Sequence, residues 1–342
     1  MIPLLRSVRM VAVTAVMGGL LAKPGISAAG DSVSSEDTTP VAASTPVATS
    51  VPIAASVATT DESKPQAVTL KYKYTVGERV EYLVTDESTL EVDFGTGPVT
   101  MTYSTQTWKH LDTQAVTDGG RAVLLLTLDR VHMLADGPEG HADFDSNHPG
   151  VPPQEFAAIV ASVGRPLMEL TVDATGRVAG LQEPGHAATQ TSTVSTELVE
   201  RDNSGPVVLP NEPVQVGSRW SEQVQIPVQV DEGRLQQRVA LKRNYTLTSI
   251  EQGIATIELD SMILTPIQDP TIAAQLIQRT PSGIILFDVE QGRVLSKRTF
   301  LNNQVIGHEG AASRLKVVRS YVEQLVNPPA SDAEAASVSD AR

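Results

Sequence analysis

The stretch GHADFDSNHPG at residues 140–150 gathers four side chains able to ligate a metal. On an extended strand His141, Asp143 and Asp145 share one face, with His148 just beyond. His/Asp sets of this kind bind zinc. Asp143, Asp145 and Asn147 also match the first three ligand positions of an EF-hand calcium loop. The loop pattern then breaks, because its sixth position is His148 rather than Gly and its twelfth is Gln154 rather than Glu. No second segment fixes the geometry, so the expectation is a wet edge and turn without a metal. His141, Asp143, Asp145 and His148 are the metal candidates if there is one. A hydrolase would need two carboxylates with separated pKa values, and it would be sought in the same 140–148 stretch. Nothing in the sequence pairs any two acids.

Other catalytic chemistries lack their parts. The chain has no cysteine to serve as nucleophile. It contains no Gly-x-Ser-x-Gly elbow and no glycine loop of the kind that cradles phosphates. The six histidines are scattered. The expectation is therefore no catalytic residue, no cofactor and no enzymatic activity. The tyrosines Tyr72, Tyr74, Tyr82 and Tyr103, with Leu90, Val92 and Phe94, suggest a different role. They could line a concave apolar surface for a lipid-like ligand or for a partner's extended segment. The competing reading makes them core under the helices, the usual fate of apolar stripes at strand spacing.

Period-two alternation dominates the elements that would position these groups. Val224, Ile226, Val228 and Val230 alternate with polar neighbours, Leu70, Tyr72, Tyr74 and Val76 do the same, and 235–247 continues the pattern. Such alternation predicts antiparallel sheet with one buried face. AVLLLTL at 122–128 is apolar on both faces, which predicts a strand covered on both sides. Two helices are predicted, over 152–165 and 269–283, the first opened by prolines and stopped at Gly164, the second opened by Asp-Pro and stopped by Pro-Ser-Gly. Each is followed by a hairpin, turning at Asp173–Gly176 and at Glu290–Gly292. Both halves run through a Val-Gly step (Gly77, Gly217), alternating strands, a helix and a Gly-Arg-Val turn (Gly176, Gly292). In the second half Trp220 follows the glycine as an aromatic anchor. The fold class is read as mainly β, a β-rich α+β chain of two tandem, diverged, curved antiparallel sheets or half-barrels, each with a short helix. The first repeat spans 67–185, a connector 186–212, and the second repeat 213–326.

The chain's two ends read differently. Arg6 and Arg9 precede an uncharged run from Met10 to Ala22, and Ser27 and Ala29 fit a signal-peptidase site, so 1–29 reads as a signal peptide. Residues 30–66 are Ser/Thr/Ala/Pro-rich and read as a disordered linker, and 327–342 as a disordered tail. Without cysteine there is no disulfide and no lipid-anchored lipoprotein terminus. The net charge of −14 falls to −17 once Arg6, Arg9 and Lys23 are removed. Such an acidic surface repels nucleic acid and anionic headgroups. The expected protein is exported, periplasmic or extracellular, with no stable membrane insertion after signal cleavage.

LPNEPVQVGSRW (209–220), DRVHM (129–133), FDSNHP (144–149) and VDATGRV (172–178) together resemble a family of exported bacterial proteins of unknown function. That family carries an "lPxxPVxvGdxW … DxxGxV" pattern, from which Ser218 and Arg219 depart where an acidic residue is common. The arrangement is also similar, at fold level, to bacterial lipoprotein-carrier half-barrels. The resemblance implies a fold and no catalytic residues. The function expected is a non-enzymatic binding module of the cell envelope, for an apolar ligand or an envelope protein. The alternative is a structural envelope protein without a small ligand, with a carboxylate hydrolase behind both.

Overall fold

The computed structural model describes residues 67–148, 150–182, 184, 205–230 and 235–326. The predicted signal peptide, the 30–66 linker, the 327–342 tail and most of the connector lie outside them. Twelve strands follow in order: β1 (Arg79–Asp93), β2 (Pro98–Val116), β3 (Ala122–Gly137), β4 (Gly140–Asp145), β5 (Pro166–Val172), β6 (Val178–Gln182), β7 (Arg219–Val230), β8 (Leu235–Glu251), β9 (Ile254–Ile263), β10 (Ser282–Asp288), β11 (Arg293–Ile306) and β12 (Arg314–Leu325). Helix α1 (Ala157–Val160) lies between β4 and β5, and α2 (Pro270–Leu276) between β9 and β10.

All twelve strands join one antiparallel sheet, ordered β6-β5-β3-β2-β1-β12-β11-β10-β9-β8-β7, with β4 paired to β3. The chain is mainly β and the sheet is not closed into a barrel. The five-strand run β1-β2-β3-β5-β6 and the run β7-β8-β9-β10-β11 enter it in the same direction, joined through β12. Each run has its helix between the third and fourth strands. The two Val-Gly steps make the same turn. Gly77 donates to the Thr113 carbonyl and Thr113 to that of Glu78, as Gly217 does to Leu247 and Leu247 to Ser218.

The sheet is bent hard. The β5–β6 and β10–β11 turns stand at the same end, and β5 and β11 are five inter-strand steps apart, about 24 Å on a flat sheet. Yet neighbouring residues of one strap reach both turns: Tyr72 N–H donates to the Ala174 carbonyl (2.8 Å) and Lys73 N–H to that of Gly292 (3.1 Å). That strap is residues 67–76, expected as a strand from its alternation. Its burial alternates, with Leu70 fully buried, but its backbone crosses the mouth of the sheet, with one bridge to Val214. Val76 is exposed, at the end where the strap meets solvent.

Residues 205–214, the described end of the predicted connector and the start of the predicted second repeat, form a second strap, with Val207, Val208 and Leu209 buried. Both straps pack on Tyr245, Leu247, Ile257, Ile285 and Phe287 of the second run. Helix α2 begins as its sequence predicts: Asp269 accepts from Thr271 N–H and Pro270 fills the first turn. Seven residues are too few for a helix to hold alone. Burial of Ile272, Leu276 and Ile277 against β7, β8, β11 and β12 supplies the rest, at about 1.5–3 kcal/mol per buried side chain. Helix α1 is a single turn without a capping side chain, shorter than the predicted 152–165, and Phe156 anchors it on β3. The 122–128 strand buries one face and leaves Val123 and Leu125 half-buried on the other, so it is not covered on both sides.

Candidate functional site

The metal candidates are drawn into separate ion pairs. Asp145 accepts from Arg130 at 3.0 and 2.5 Å and from Asn147 N–H at 2.9 Å. The Arg130 hydrogen bonds hold its carboxyl well below the usual carboxylate range. Arg130 also lies over the Trp108 ring, 4.2 Å from its centre. Asp143 faces His132 (3.0 Å), His141 faces Asp136 (2.8 Å), and His148 stands 3.3 Å from Asp145. Among the described residues no three His, Asp or Glu side chains converge on a point where a metal would sit. A guanidinium already fills the best carboxylate.

The structure instead opens a cavity of about 250 Å³ inside the curve of the sheet. One wall is apolar: Leu124, Leu126 and Leu128 of β3, Met168 and Leu170 of β5, and Ile159 of α1. The opposite wall is charged: Arg293 and Lys297 of β11, with Arg319, Tyr321 and Glu323 of β12. Val80, Tyr82, Val84 and Asp86 of β1 and Lys109 of β2 form the floor between them, and Tyr72, Tyr74 and residues 205–207 of the straps close the end. A second space of about 250 Å³, lined by Glu222, Arg243 and Tyr245, shares residues 205–207 and Lys297 with the first.

Register brings the charges together. Lys297 is the direct cross-strand partner of Glu323, Glu323 of Val84, and Tyr82 of Lys109. Lys109 Nζ lies 2.8 Å from Glu323 Oε1, and Tyr321 donates its hydroxyl to Glu323 Oε2 at 3.2 Å. One buried carboxylate therefore serves two buried ammonium groups. Burial pushes the Lys297 ammonium down to about 8, with Glu323 opposing. Burial alone would raise the Glu323 carboxyl, but Lys109 and Lys297 outweigh it and hold it below its ordinary value. Burial raises the phenols of Tyr82 and Tyr321, so both stay neutral donors at neutral pH. Alongside, Arg319 makes a two-pronged contact with Asp86 (2.9 and 2.5 Å), and Arg293 reaches Glu78 at 2.6 Å.

Of the tyrosine candidates, Tyr72, Tyr74 and Tyr82 line this cavity. Tyr103 packs between the clusters under α1 and α2 instead. Tyr72 also holds the strap: its hydroxyl accepts from Val207 N–H at 3.0 Å and donates to the Val207 carbonyl at 3.2 Å. Trp220 stacks on Tyr245 and donates to the Val208 carbonyl at 2.7 Å, remaining half-exposed. Gly77, Gly176, Gly217 and Gly292 all take positive φ. At Gly176 a Cβ would meet the Val207 carbonyl oxygen at 2.4 Å.

Sequence reasoning missed Asp86, Lys109, Lys297, Arg319 and Glu323. Part of the signal was there. One face of β1 reads Val80, Tyr82, Val84, Asp86, Ser88, Leu90, and one face of β12 reads Leu315, Val317, Arg319, Tyr321, Glu323. A charge on the apolar face of an alternating strand marks a site.

No family model matches the sequence, and no curated protein matches it. Among solved structures, the chain is similar to lipovitellin, in a structure concerned with its lipid–protein interactions: 12% identity, 76% of this chain, 27% of that one, TM-score 0.42. It thus spans about a quarter of the lipovitellin chain. DynF of the dynemicin biosynthesis pathway of Micromonospora chersina aligns at 8% identity over 79% of this chain and 92% of its own, with TM-score 0.20. A DUF1329 family protein from Desulfovibrio piger aligns at 9% over 74% and 88%, with TM-score 0.16. At these values the likenesses carry no functional argument, and the site must speak for itself.

Proposed function

We propose that the protein is an exported, non-enzymatic binding module of the cell envelope whose cavity holds a lipid-like ligand. The observation that carries this is the apolar wall of Leu124, Leu126, Met168 and Leu170. It faces a cavity of about 250 Å³, where close-packed cores keep few voids larger than a water molecule. That volume is just below the range of small-molecule pockets, about 300–1,000 Å³. It suits one chain better than a two-chain lipid. Export rests on the Arg6–Ala29 segment. Among the described residues no helix is long and apolar enough to cross a membrane. The tandem-duplication reading belongs to the same proposal and is supported by the two five-strand runs and their matching Val-Gly turns.

A purely structural role through sheet edges has less support. Edge strand β6 has five residues and edge strand β7 carries Pro227 in its last third, both features that discourage edge-to-edge pairing. The test is a titration with the uncharged fluorophore N-phenyl-1-naphthylamine. The unaltered chain should bind it saturably with a blue-shifted emission. Met168→Trp, which fills the cavity, should abolish binding while circular dichroism stays unchanged; Leu126→Phe is the substitute if that variant fails to fold. Absence of binding, or binding that survives filling of the cavity, overturns the reading.

A further inference from the structure

The cavity is not merely apolar; its charge runs against that of the whole molecule. The chain carries 26 Lys and Arg against 40 Asp and Glu. Around the cavity the balance reverses. Its basic lining residues are Lys73, Lys109, Arg293, Lys297 and Arg319. Its acidic ones are Glu78, Asp86 and Glu323. An acidic protein that concentrates cations around one concave, partly apolar space focuses positive potential there.

The cations are also sorted by position. The apolar wall stands on β3, β5 and α1, and three of the five basic side chains, Arg293, Lys297 and Arg319, on β11 and β12 across the cavity. A molecule filling it would place its chain against Leu124, Leu126 and Met168 and its polar end against Lys297, Lys109 and Tyr321. The two arginines are turned onto carboxylates, Arg319 onto Asp86 and Arg293 onto Glu78. Arg319 spends its forked contact on Asp86, whereas Arg293 meets Glu78 through one nitrogen only and keeps a buried Nε without a hydrogen-bond partner. The groups at the head position are lysines, point charges with three donors each. Glu323 stands between two of them, at 2.8 Å from Lys109 and in direct cross-strand register with Lys297. Lys297 also reaches the Gly205 carbonyl at 3.5 Å, and five basic against three acidic lining residues leave a positive excess that a second small anion would balance.

We propose that the ligand is a single-chain amphiphile with an anionic head of the carboxylate class, seated head-first against Lys297 and Lys109. The inference rests on the lipid-binding reading above and goes beyond it in naming the head group. The test is isothermal titration calorimetry of the full chain at pH 7 with dodecanoate and dodecyltrimethylammonium below their micelle thresholds and dodecanol below its solubility limit. Dodecanoate should bind at least tenfold more tightly than dodecanol, and the ammonium amphiphile should not bind. Lys297→Met should lower the affinity for dodecanoate at least tenfold and so collapse the acid-to-alcohol ratio toward one. Equal affinity for acid and alcohol overturns the head-group assignment and leaves the lipid-binding reading standing. If none of the three binds, both fall. Should Lys297→Met fail to fold, the acid-to-alcohol ratio on the unaltered chain decides alone.

Discussion

At the scale of single residues, Glu323 is the pivot. It is buried, with ammonium groups on both sides, and removing one partner of a buried ion pair strands the other charge in a poorly solvating interior. Glu323→Gln should therefore destabilise the protein by about 3–5 kcal/mol in urea unfolding at pH 7. Lys297→Met leaves the Lys109–Glu323 contact in place and should cost far less. The pH dependence follows from Lys297, which is faced by Glu323 and Tyr321 of β12, Lys109 of β2, Arg243 of β8 and Glu222 of β7. Its folded value of about 8 lies below the ordinary 10.5, so between those values the unfolded chain binds the proton that the folded chain has released. The Lys297 contribution to stability therefore rises with pH across that window and is flat below it. Urea midpoints of the unaltered chain measured from pH 7 to 10.5, minus those of Lys297→Met, should show this rise. A flat difference would contradict the buried-lysine account. The sequence hid Lys109 and Lys297 for a local reason. Lys109 follows a register shift at Trp108, so it and His110 are both buried, and Ser296 and Lys297 are likewise buried side by side. Strict alternation puts one member of each pair outside, and bulges are not readable from these residues.

At the scale of elements, the turns were the most legible features because their chemistry is local. Asp173 accepts from Thr175 and Arg177 N–H, and Gly176 closes the turn at positive φ, as the VDATGRV stretch predicts. What the sequence could not show is that this turn touches a strap far along the chain. Gly176→Ala therefore faces two costs, the left-handed backbone, about 1–2 kcal/mol, and the collision with the Val207 carbonyl at 2.4 Å. Gly217→Ala faces only the first, since nothing lies within 4 Å of its added Cβ. Thermal unfolding should show Gly176→Ala clearly the more damaging, and equal losses would contradict the strap contact. The segment 67–76 shows the opposite limit of legibility. Its alternation correctly reports which side is buried, but burial against Phe287 and Leu247 looks the same from the sequence whether the backbone pairs in a sheet or crosses its mouth.

At the scale of the whole molecule, antiparallel class and two-run order follow from periodicity, whereas the union of the runs into one sheet depends on β12. That strand pairs with β1 across more than two hundred residues, and Arg319–Asp86 and Arg314–Glu91 join the two strands through their side chains. No local pattern encodes such a pairing. It is also what creates the candidate site, because β11 and β12 bring the charged wall to the apolar wall of β3 and β5. On the proposal above, this cavity carries a lipid-like molecule. Native mass spectrometry of the full chain recovered from an exporting host, followed by solvent extraction, tests it most directly. A reproducible mass above that of the polypeptide is expected, released on denaturation and identified in the extract as a single-chain amphiphile. A bare polypeptide mass that added dodecanoate does not shift would contradict it.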